Sequence, residues 1–151
     1  MIALGCDHAG FELKESIVSV LNELGLEYKD CGTFGPESVD YPVYGEKAAR
    51  AVASGECEKG IIFCGTGVGI GMAAGKVPGI RCATVSDCYS AKMSREHNDA
   101  NMLSLGARVV GRELAKMIVR IWLTTEFDQG RHARRVGQIM TLDQGGTLQN
   151  Q

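Results

Sequence analysis

A cysteine followed at once by alternating glycines is the feature of this sequence best suited to chemistry. Residues 61–64 form an apolar run that is typical of a buried strand and ends on Cys64, and Gly65, Gly67 and Gly69 follow it. Glycine has no Cβ, so the backbone N–H groups of such a loop can approach an anion closely. Loop amides and the start of a following helix also favour a thiolate over a thiol. The pattern therefore predicts a reactive base or nucleophile beside an anion-binding loop.

The same glycines allow other interpretations. Residues 69–74 fit the G-x-G-x-x-A pattern of a dinucleotide-binding turn, but these glycines begin deeper in the helix than that pattern requires. A tight strand-to-helix turn would explain one or two glycines but not four, at positions 65, 67, 69 and 71. A redox-sensing thiol would need a cysteine partner for Cys64, and the sequence offers none nearby. We favour a loop that contacts a small ligand or an oxyanion.

Two histidine motifs leave alternatives open. Asp7 and His8 directly follow the first predicted strand. In one interpretation Asp7 caps the next helix. In the other, both side chains face the same ligand as Cys64. His97 and Asn98 follow a predicted helix, where they are either a polar helix end or an acid/base imidazole with an amide neighbour.

A pair of arginines begins the last predicted helix. Arg131 and Arg135 are four residues apart, so their side chains share one face of the helix. Positive charge at a helix N-terminus opposes the helix dipole, at a cost of a few tenths of a kcal/mol per residue. A bound phosphate would reverse that cost, because guanidinium groups and free N–H groups would then converge on one dianion. A solvated basic face is the alternative, and we favour the phosphate site.

The composition is that of an ordinary globular protein and argues against several classes. A net charge of −2 over 151 residues gives no indication of nucleic-acid or membrane-surface binding. The first residues lack a signal-peptide pattern, and no apolar run approaches the ~20 residues of a membrane helix. The six cysteines form no CxxC pair, and no histidine completes a zinc pattern. We therefore expect a cytoplasmic protein with reduced thiols, no metal and no cofactor.

Strands and helices alternate along the chain, which predicts an α/β fold with a mostly parallel sheet covered by helices on both faces. The predicted strands are 2–6, 26–31, 60–64, 80–85 and 102–105, and the predicted helices are 11–24, 42–53, 70–76, 90–97, 112–123 and 131–142. We expect one domain over residues 1–142 and a tail over residues 143–151. Ligands bind such sheets at the carboxyl ends of the strands, where Asp7, His8 and Cys64 are predicted to lie.

These groups together suffice for one kind of reaction. A thiol base, an imidazole acid, an oxyanion-binding loop and an arginine pair can move a proton α to the carbonyl of a sugar phosphate. Aldose–ketose isomerisation needs a base between C1 and C2, donors for the enediolate oxygen and a group that opens the furanose ring. The sequence thus predicts a metal-free proton transfer on a sugar phosphate.

Five motifs in order resemble type B ribose-5-phosphate isomerase, of the ribose/galactose isomerase family. They span residues 7–11 (DHAGF), 40–42 (DYP), 64–70 (CGTGVGI), 94–101 (SREHNDAN) and 130–135 (GRHARR). The resemblance covers about residues 1–142 and implies a Rossmann-like α/β/α sandwich with a five-stranded sheet. It also implies a homodimer, often paired into a tetramer, with active sites between subunits. The implied reaction interconverts D-ribose 5-phosphate and D-ribulose 5-phosphate through an enediolate.

The resemblance also implies residue roles. Cys64 matches the base that moves the proton, and His97, reaching in from the partner subunit, matches the acid/base that opens the ring, with Asp7 assisting. The loop of Gly65, Thr66, Gly67, Val68 and Gly69 matches the amides that stabilise the enediolate, helped by the Thr66 hydroxyl. The phosphate-binding positions of the family are matched by His8, Arg108, Arg131 and Arg135. Its other substrate-binding positions are matched by Tyr41 and Asn98. Hexose phosphates and unphosphorylated sugars stay open as substrates.

Overall fold

The computed structural model describes residues 1–149, over which five strands and six helices alternate. The strands are β1 (Ile2–Cys6), β2 (Tyr28–Asp30), β3 (Lys59–Cys64), β4 (Cys82–Thr84) and β5 (Met102–Gly106). The helices are α1 (Phe11–Glu23), α2 (Tyr41–Ala53), α3 (Val68–Ala74), α4 (Cys88–Glu96), α5 (Arg112–Thr124) and α6 (Arg131–Asp143). The predicted α/β alternation is therefore confirmed.

The five strands form one sheet in the order β2-β1-β3-β5-β4, and every pairing is parallel. The sheet is thus fully parallel rather than mostly parallel. The chain leaves β1 toward one side to form β2 and returns to the other side to form β3. This change of direction opens a crevice between the carboxyl ends of β1 and β3, which is where open α/β sheets bind ligands. Asp7 and Cys64 lie at this crevice.

Helices cover both faces of the sheet because successive strand residues point to opposite sides. In β3, Ile61 and Phe63 pack into a core formed with α1, α4 and α5. Ile62 and Cys64 face the opposite core, which α2 and α3 complete with residues such as Ile70. The thiol of Cys64 is therefore directed toward α2 and α3.

Two strands are shorter than the sequence predicts, because the predicted ends belong to turns. Leu26 N–H donates to the Leu21 carbonyl at 2.9 Å, so Leu26 closes the end of α1 rather than opening β2. Ile80 N–H donates to the Val77 carbonyl at 3.2 Å, which places Ile80 in the turn before β4. In both turns a glycine with positive φ, Gly25 or Gly79, reverses the chain.

The C-terminal region begins with α6, whose residue Asp143 accepts a hydrogen bond from Gly79 N–H at 2.7 Å. The predicted tail over residues 143–151 starts at this last helical residue, and its residues 150 and 151 lie outside the described range. Among the helices of residues 1–149, none has both the length and the apolar character needed to cross a bilayer.

Candidate active site

Cys64 lies at the carboxyl end of β3 and begins a loop, residues 64–69, that we call the glycine loop. The residue is buried, with 5% of its surface exposed. Gly67 N–H donates a hydrogen bond to Cys64 Sγ, and the N–S distance is 3.2 Å. An N–H donor directed at the sulfur is the contact that a thiolate base requires.

Only glycine fits at position 67. Its φ of +78° lies in the left-handed region, and a Cβ there would stand 2.7 Å from the carbonyl carbon of Leu105. The loop is also fixed to β5, because Ser104 Oγ donates to the Gly67 carbonyl at 2.5 Å. Ala107 N–H donates to the Cys64 carbonyl at 2.8 Å. The backbone around the sulfur is thus held by the neighbouring strand.

The other loop positions present backbone and side chains to the outside. Thr66 is exposed, and its Oγ1 accepts a hydrogen bond from Val68 N–H at 3.3 Å. A Cβ on Gly69 would lie 2.7 Å from the Tyr41 ring, so the phenol packs directly on the loop backbone. A Cβ on Gly65 would lie 3.3 Å from a guanidinium nitrogen of Arg108. Tyr41 and Arg108 therefore flank the glycine loop.

Asp7 lies across the crevice, at the end of β1. It is 5% exposed, and its Oδ1 accepts a hydrogen bond from Gly10 N–H at 2.9 Å. Gly10 is itself the N-cap of α1, so Asp7 fixes the turn before the helix rather than capping it in the usual way. The buried carboxylate is positioned by this bond.

His8 follows Asp7, and its side chain contacts the loop before α2 rather than the start of α1. Its Nδ1 accepts a hydrogen bond from Val39 N–H at 3.2 Å, which assigns the remaining ring proton to Nε2. The ring lines a cavity of about 360 Å³ that Arg108 and Arg112 also line. Two guanidinium groups and an imidazole N–H are suited to an anion. Arg112 was not expected at the site. No local signal in the sequence marks it, because Arg112 is a basic residue at the first position of α5.

A second set of predicted residues lies where α4 ends and α6 begins. The imidazole rings of His97 and His132 stack with their centroids 4.1 Å apart and their planes at 7°. Burial, followed by the positive charge of His97, Arg131 and Arg135, lowers the pKa of His132 from its usual value. Both arginines are exposed. The two arginines and the histidine pair thus share one region, and the partnership of His97 with His132 was not predicted.

Asn98 lies beside a second cavity, of about 450 Å³, together with Arg81 and Gly71 of α3. Arg81 Nε donates to the Asn98 carbonyl at 3.3 Å, and the same guanidinium pairs with Asp99 at 3.1 Å. These bonds hold the segment that follows His97.

The predicted site residues therefore fall into two groups. The loop group is Asp7, His8, Tyr41, Cys64, Gly65, Thr66, Gly67, Val68, Gly69 and Arg108. The histidine group is His97, Asn98, Arg131 and Arg135, together with His132, for which the sequence predicts no role. In the part of the chain that spans residues 1–149, no hydrogen bond, ion pair or ring contact joins a member of one group to a member of the other.

The remaining cysteines differ from Cys64 in their surroundings. All six thiols are free. Burial raises the pKa of Cys6 to about 11 and that of Cys82 to about 12, so both are protonated at neutral pH. Cys57 is buried, while Cys31, Cys82 and Cys88 are half-buried. These residues fit the expectation of structural cysteines.

The glycine pattern over residues 69–74 lies inside α3 rather than at its start. A Cβ on Gly71 would stand 2.5 Å from Thr84 Oγ1, so this glycine allows α3 to pack on the sheet. A packed glycine is not available to a pyrophosphate, which weakens the dinucleotide interpretation.

Comparison with known proteins gives concordant matches. The family model described as Ribose/Galactose Isomerase matches residues 2–139. The chain is 54% identical over 143 residues to ribose-5-phosphate isomerase B of Escherichia coli, covering 95% of this chain and 96% of the relative. It is 42% identical over 140 residues to D-erythrulose-4-phosphate isomerase of Pectobacterium atrosepticum, covering 91% of each. The solved structure of Clostridium thermocellum ribose-5-phosphate isomerase B matches with a TM-score of 0.93 and 56% identity, over 95% of this chain and 97% of that one.

Proposed function

Because this chain belongs to the ribose/galactose isomerase family, we propose that it interconverts D-ribose 5-phosphate and D-ribulose 5-phosphate. The observation that carries the proposal is the placement of Cys64 Sγ at the carboxyl end of β3, with Gly67 N–H donating to it at 3.2 Å. A base beside a loop of backbone donors is the arrangement that enediolate chemistry requires.

The proton transfer begins at Cys64. The thiolate removes the proton from C2 of the open-chain aldose, and the electron pair of that bond moves toward O1 to form an enediolate. The amides of residues 65–69 and the Thr66 hydroxyl stabilise the negative oxygen. The thiol then returns its proton to C1, while the proton of the O2 hydroxyl passes to O1. The product is the ketose, and the thiolate is restored.

Ring opening precedes this step because the substrate is mainly a furanose. An acid must protonate the ring oxygen while a base takes the proton of the anomeric hydroxyl. We assign this work to His97, with Asp7 assisting. The bond from Gly10 N–H to Asp7 Oδ1 holds the carboxylate in place and leaves it a second oxygen that can accept.

We assign the phosphate to positive side chains from both the loop group and the histidine group. His8 and Arg108 line the cavity of about 360 Å³ beside the glycine loop, and Arg131 and Arg135 lie beside the histidine pair. Guanidinium groups match a phosphate because each can donate two parallel hydrogen bonds. Tyr41 and Asn98 are assigned to the sugar hydroxyls.

We propose further that the site is completed by a second copy of this chain, in a homodimer that is able to pair into a tetramer. The separation of the loop group from the histidine group within one chain supports this arrangement. A two-fold interface would bring the histidine group of one subunit to the loop group of the other, twice. The free thiols of all six cysteines suit a reducing compartment, so the cytoplasm is the proposed location. Neither a nucleic acid nor a membrane is a proposed partner.

The test of the base is Cys64→Ala, with Cys57→Ala as the matched control. Both thiols are buried in the same core, at 5% and 1% exposure. Loss of a general base typically costs about 10²–10⁴-fold in rate, so kcat of Cys64→Ala should fall by that factor. Cys57→Ala should keep near-normal kcat. Circular dichroism confirms that each variant is folded, and a folded Cys64→Ala with near-full activity would remove Cys64 as the base.

The test of the shared site is complementation between inactive variants. Cys64→Ala and His97→Asn are unfolded together and refolded, so that about half of the dimers are hybrids and one of the two sites in each hybrid is intact. About a quarter of wild-type activity should return. Cys64→Ala mixed with Asp7→Asn, both altered in the loop group, should recover nothing. No recovery in the first mixture would show that each chain builds its own site.

A tetrose phosphate is the alternative substrate, because the chain is 42% identical to an enzyme named for D-erythrulose 4-phosphate. Measuring kcat/KM for tetrose, pentose and hexose phosphates decides between these sugars. The highest value for the pentose supports the proposal, and the highest value for the tetrose replaces it. Equilibrium titration with NAD and NADP tests the nucleotide-binding alternative in the same preparation.

A further inference from the structure

Three metal-ligating side chains come together at His97, Asp128 and His132, although Asp128 lies 31 positions after His97 in the sequence. The ligand atoms of these three side chains all lie within 4.8 Å of one another. The two imidazole rings are stacked at 4.1 Å. The separation along the chain explains why no zinc-like spacing is visible in the sequence.

The backbone holds the three residues in this arrangement. Asp128 N–H donates to the Glu96 carbonyl at 3.0 Å, which fixes the loop before α6 to the end of α4. His132 N–H donates to the Gln129 carbonyl at 3.0 Å, and His132 is 8% exposed. These backbone bonds hold the three side chains close together, so no flexible segment has to become ordered before they can bind a cation.

Two imidazoles and one carboxylate form the donor set of an open zinc site, in which a water completes the coordination. Imidazole favours Zn²⁺ and its transition-metal neighbours over Mg²⁺ or Ca²⁺. With metal–ligand distances of about 2.1 Å, tetrahedral ligand atoms lie ~3.4 Å apart. The widest separation in the cluster must contract by up to about 1.4 Å, and the stacked rings must turn so that their lone pairs converge. The Asp128 side chain is exposed and free of the constraints of a packed core.

The charges near the cluster limit how tightly a cation binds. Arg131 and Arg135 oppose a dication, whereas the Asp128 carboxylate attracts it. We therefore expect a reversible site rather than a permanent structural one.

We propose that His97, Asp128 and His132 bind a zinc-class divalent cation, and that the bound cation holds His97 away from the ring-opening step. The second half of this statement rests on the proposed function, because it assumes that His97 acts on the sugar. The first half depends only on the geometry of the cluster.

The test follows the imidazole nitrogens by NMR during a titration with Zn²⁺, in a phosphate-free buffer with a non-thiol reductant. The chain has three histidines, so His8 serves as an internal control. We expect the signals of His97 and His132 to shift together and to saturate at one ion per chain, while those of His8 stay in place. Asp128→Asn should weaken binding by about tenfold or more. Glu126→Gln, which alters an exposed acid two residues earlier, should leave binding unchanged.

Cysteine is the competing ligand, and Co²⁺ detects it. A thiolate–cobalt charge-transfer band at one equivalent would place the ion on a cysteine and overturn the site. Unshifted signals of His97 and His132, or equal affinity in Asp128→Asn and the wild type, would also overturn it.

Inhibition is measured separately from binding. Zn²⁺ should inhibit isomerisation of D-ribose 5-phosphate with the same midpoint as the NMR titration, and Asp128→Asn should shift both midpoints by the same factor. Inhibition that Asp128→Asn does not shift would overturn the link to His97. A protein that binds zinc as described but has no isomerase activity would refute the proposed function while supporting the metal site.

Discussion

Replacing Gly67 by alanine should strain the glycine loop by an amount that the structure allows us to work out. A left-handed φ costs an L-residue about 1–2 kcal/mol. The new Cβ would lie 2.7 Å from the Leu105 carbonyl carbon, whereas ordinary contact begins at 3.4 Å, so the loop or β5 must move by about 0.7 Å. Overpacking against backbone costs a further ~1–3 kcal/mol. The free energy of unfolding should therefore fall by about 2–5 kcal/mol.

Differential scanning calorimetry measures this loss. In a chain of this size each kcal/mol lowers Tm by about 2–4 °C, so Gly67→Ala should unfold roughly 4–20 °C below the wild type. Gly79→Ala is the matched control, because Gly79 has φ +87° and no atom lies within 4 Å of its Cβ position. The control isolates the cost of the left-handed backbone. A Tm for Gly67→Ala no lower than that of Gly79→Ala would refute the predicted collision with Leu105.

The same displacement carries Gly67 N–H away from Cys64 Sγ. A catalytic group misplaced by about 1 Å can cost ~100-fold in rate, so we expect a large fall in kcat with little change in KM. Gly79→Ala should keep wild-type kcat. A folded Gly67→Ala enzyme with normal kcat would show that the bond from this amide to the sulfur has no part in the reaction.

Two further substitutions test the surroundings of the site. Lys14→Met removes an ion pair with Asp30 at 2.9 Å and a bond to the Thr33 carbonyl. It should lower the unfolding free energy by about 1–3 kcal/mol in a urea titration, whereas Lys29→Met, at an exposed and solvent-screened pair, should lower it by clearly less. The pKa of His132 is lower in the folded chain than in the unfolded chain. As the pH falls, the imidazole is therefore protonated first in the unfolded chain, so the free energy of unfolding decreases below about pH 6.5. His132→Asn should reduce that fall between pH 7.5 and 5.5, and an unchanged slope would contradict the shift.

The elements and the placement of Asp7 and Cys64 were accessible from sequence because their signals are local. Residues 112–124 show the helical apolar period of α5, with Ile118 and Trp122 buried as the pattern requires. The rule that ligands bind at the carboxyl ends of parallel strands brought Asp7 and Cys64 to one crevice without any knowledge of strand order.

The order of the strands and the pairing of His97 with His132 were not accessible in this way. Nothing local to residues 102–106 indicates that β5 inserts between β3 and β4, because strand order is set by how whole faces pack. The stacking of His97 on His132 likewise depends on how α6 returns to the end of α4. Arg112 was overlooked because a basic residue at the first position of a helix has no distinctive local signal.

The buried hydroxyl of Ser104 has a consequence for how the enzyme responds to heat. Ser104 is fully buried in the sheet, and its hydroxyl donates to the carbonyl of Gly67. The loop that carries the sulfur therefore does not unfold locally while the sheet is intact. Turnover should consequently persist on warming until the sheet opens. Loss of activity and loss of far-UV ellipticity should then coincide at a single temperature, without an earlier stage in which a folded but inactive protein accumulates.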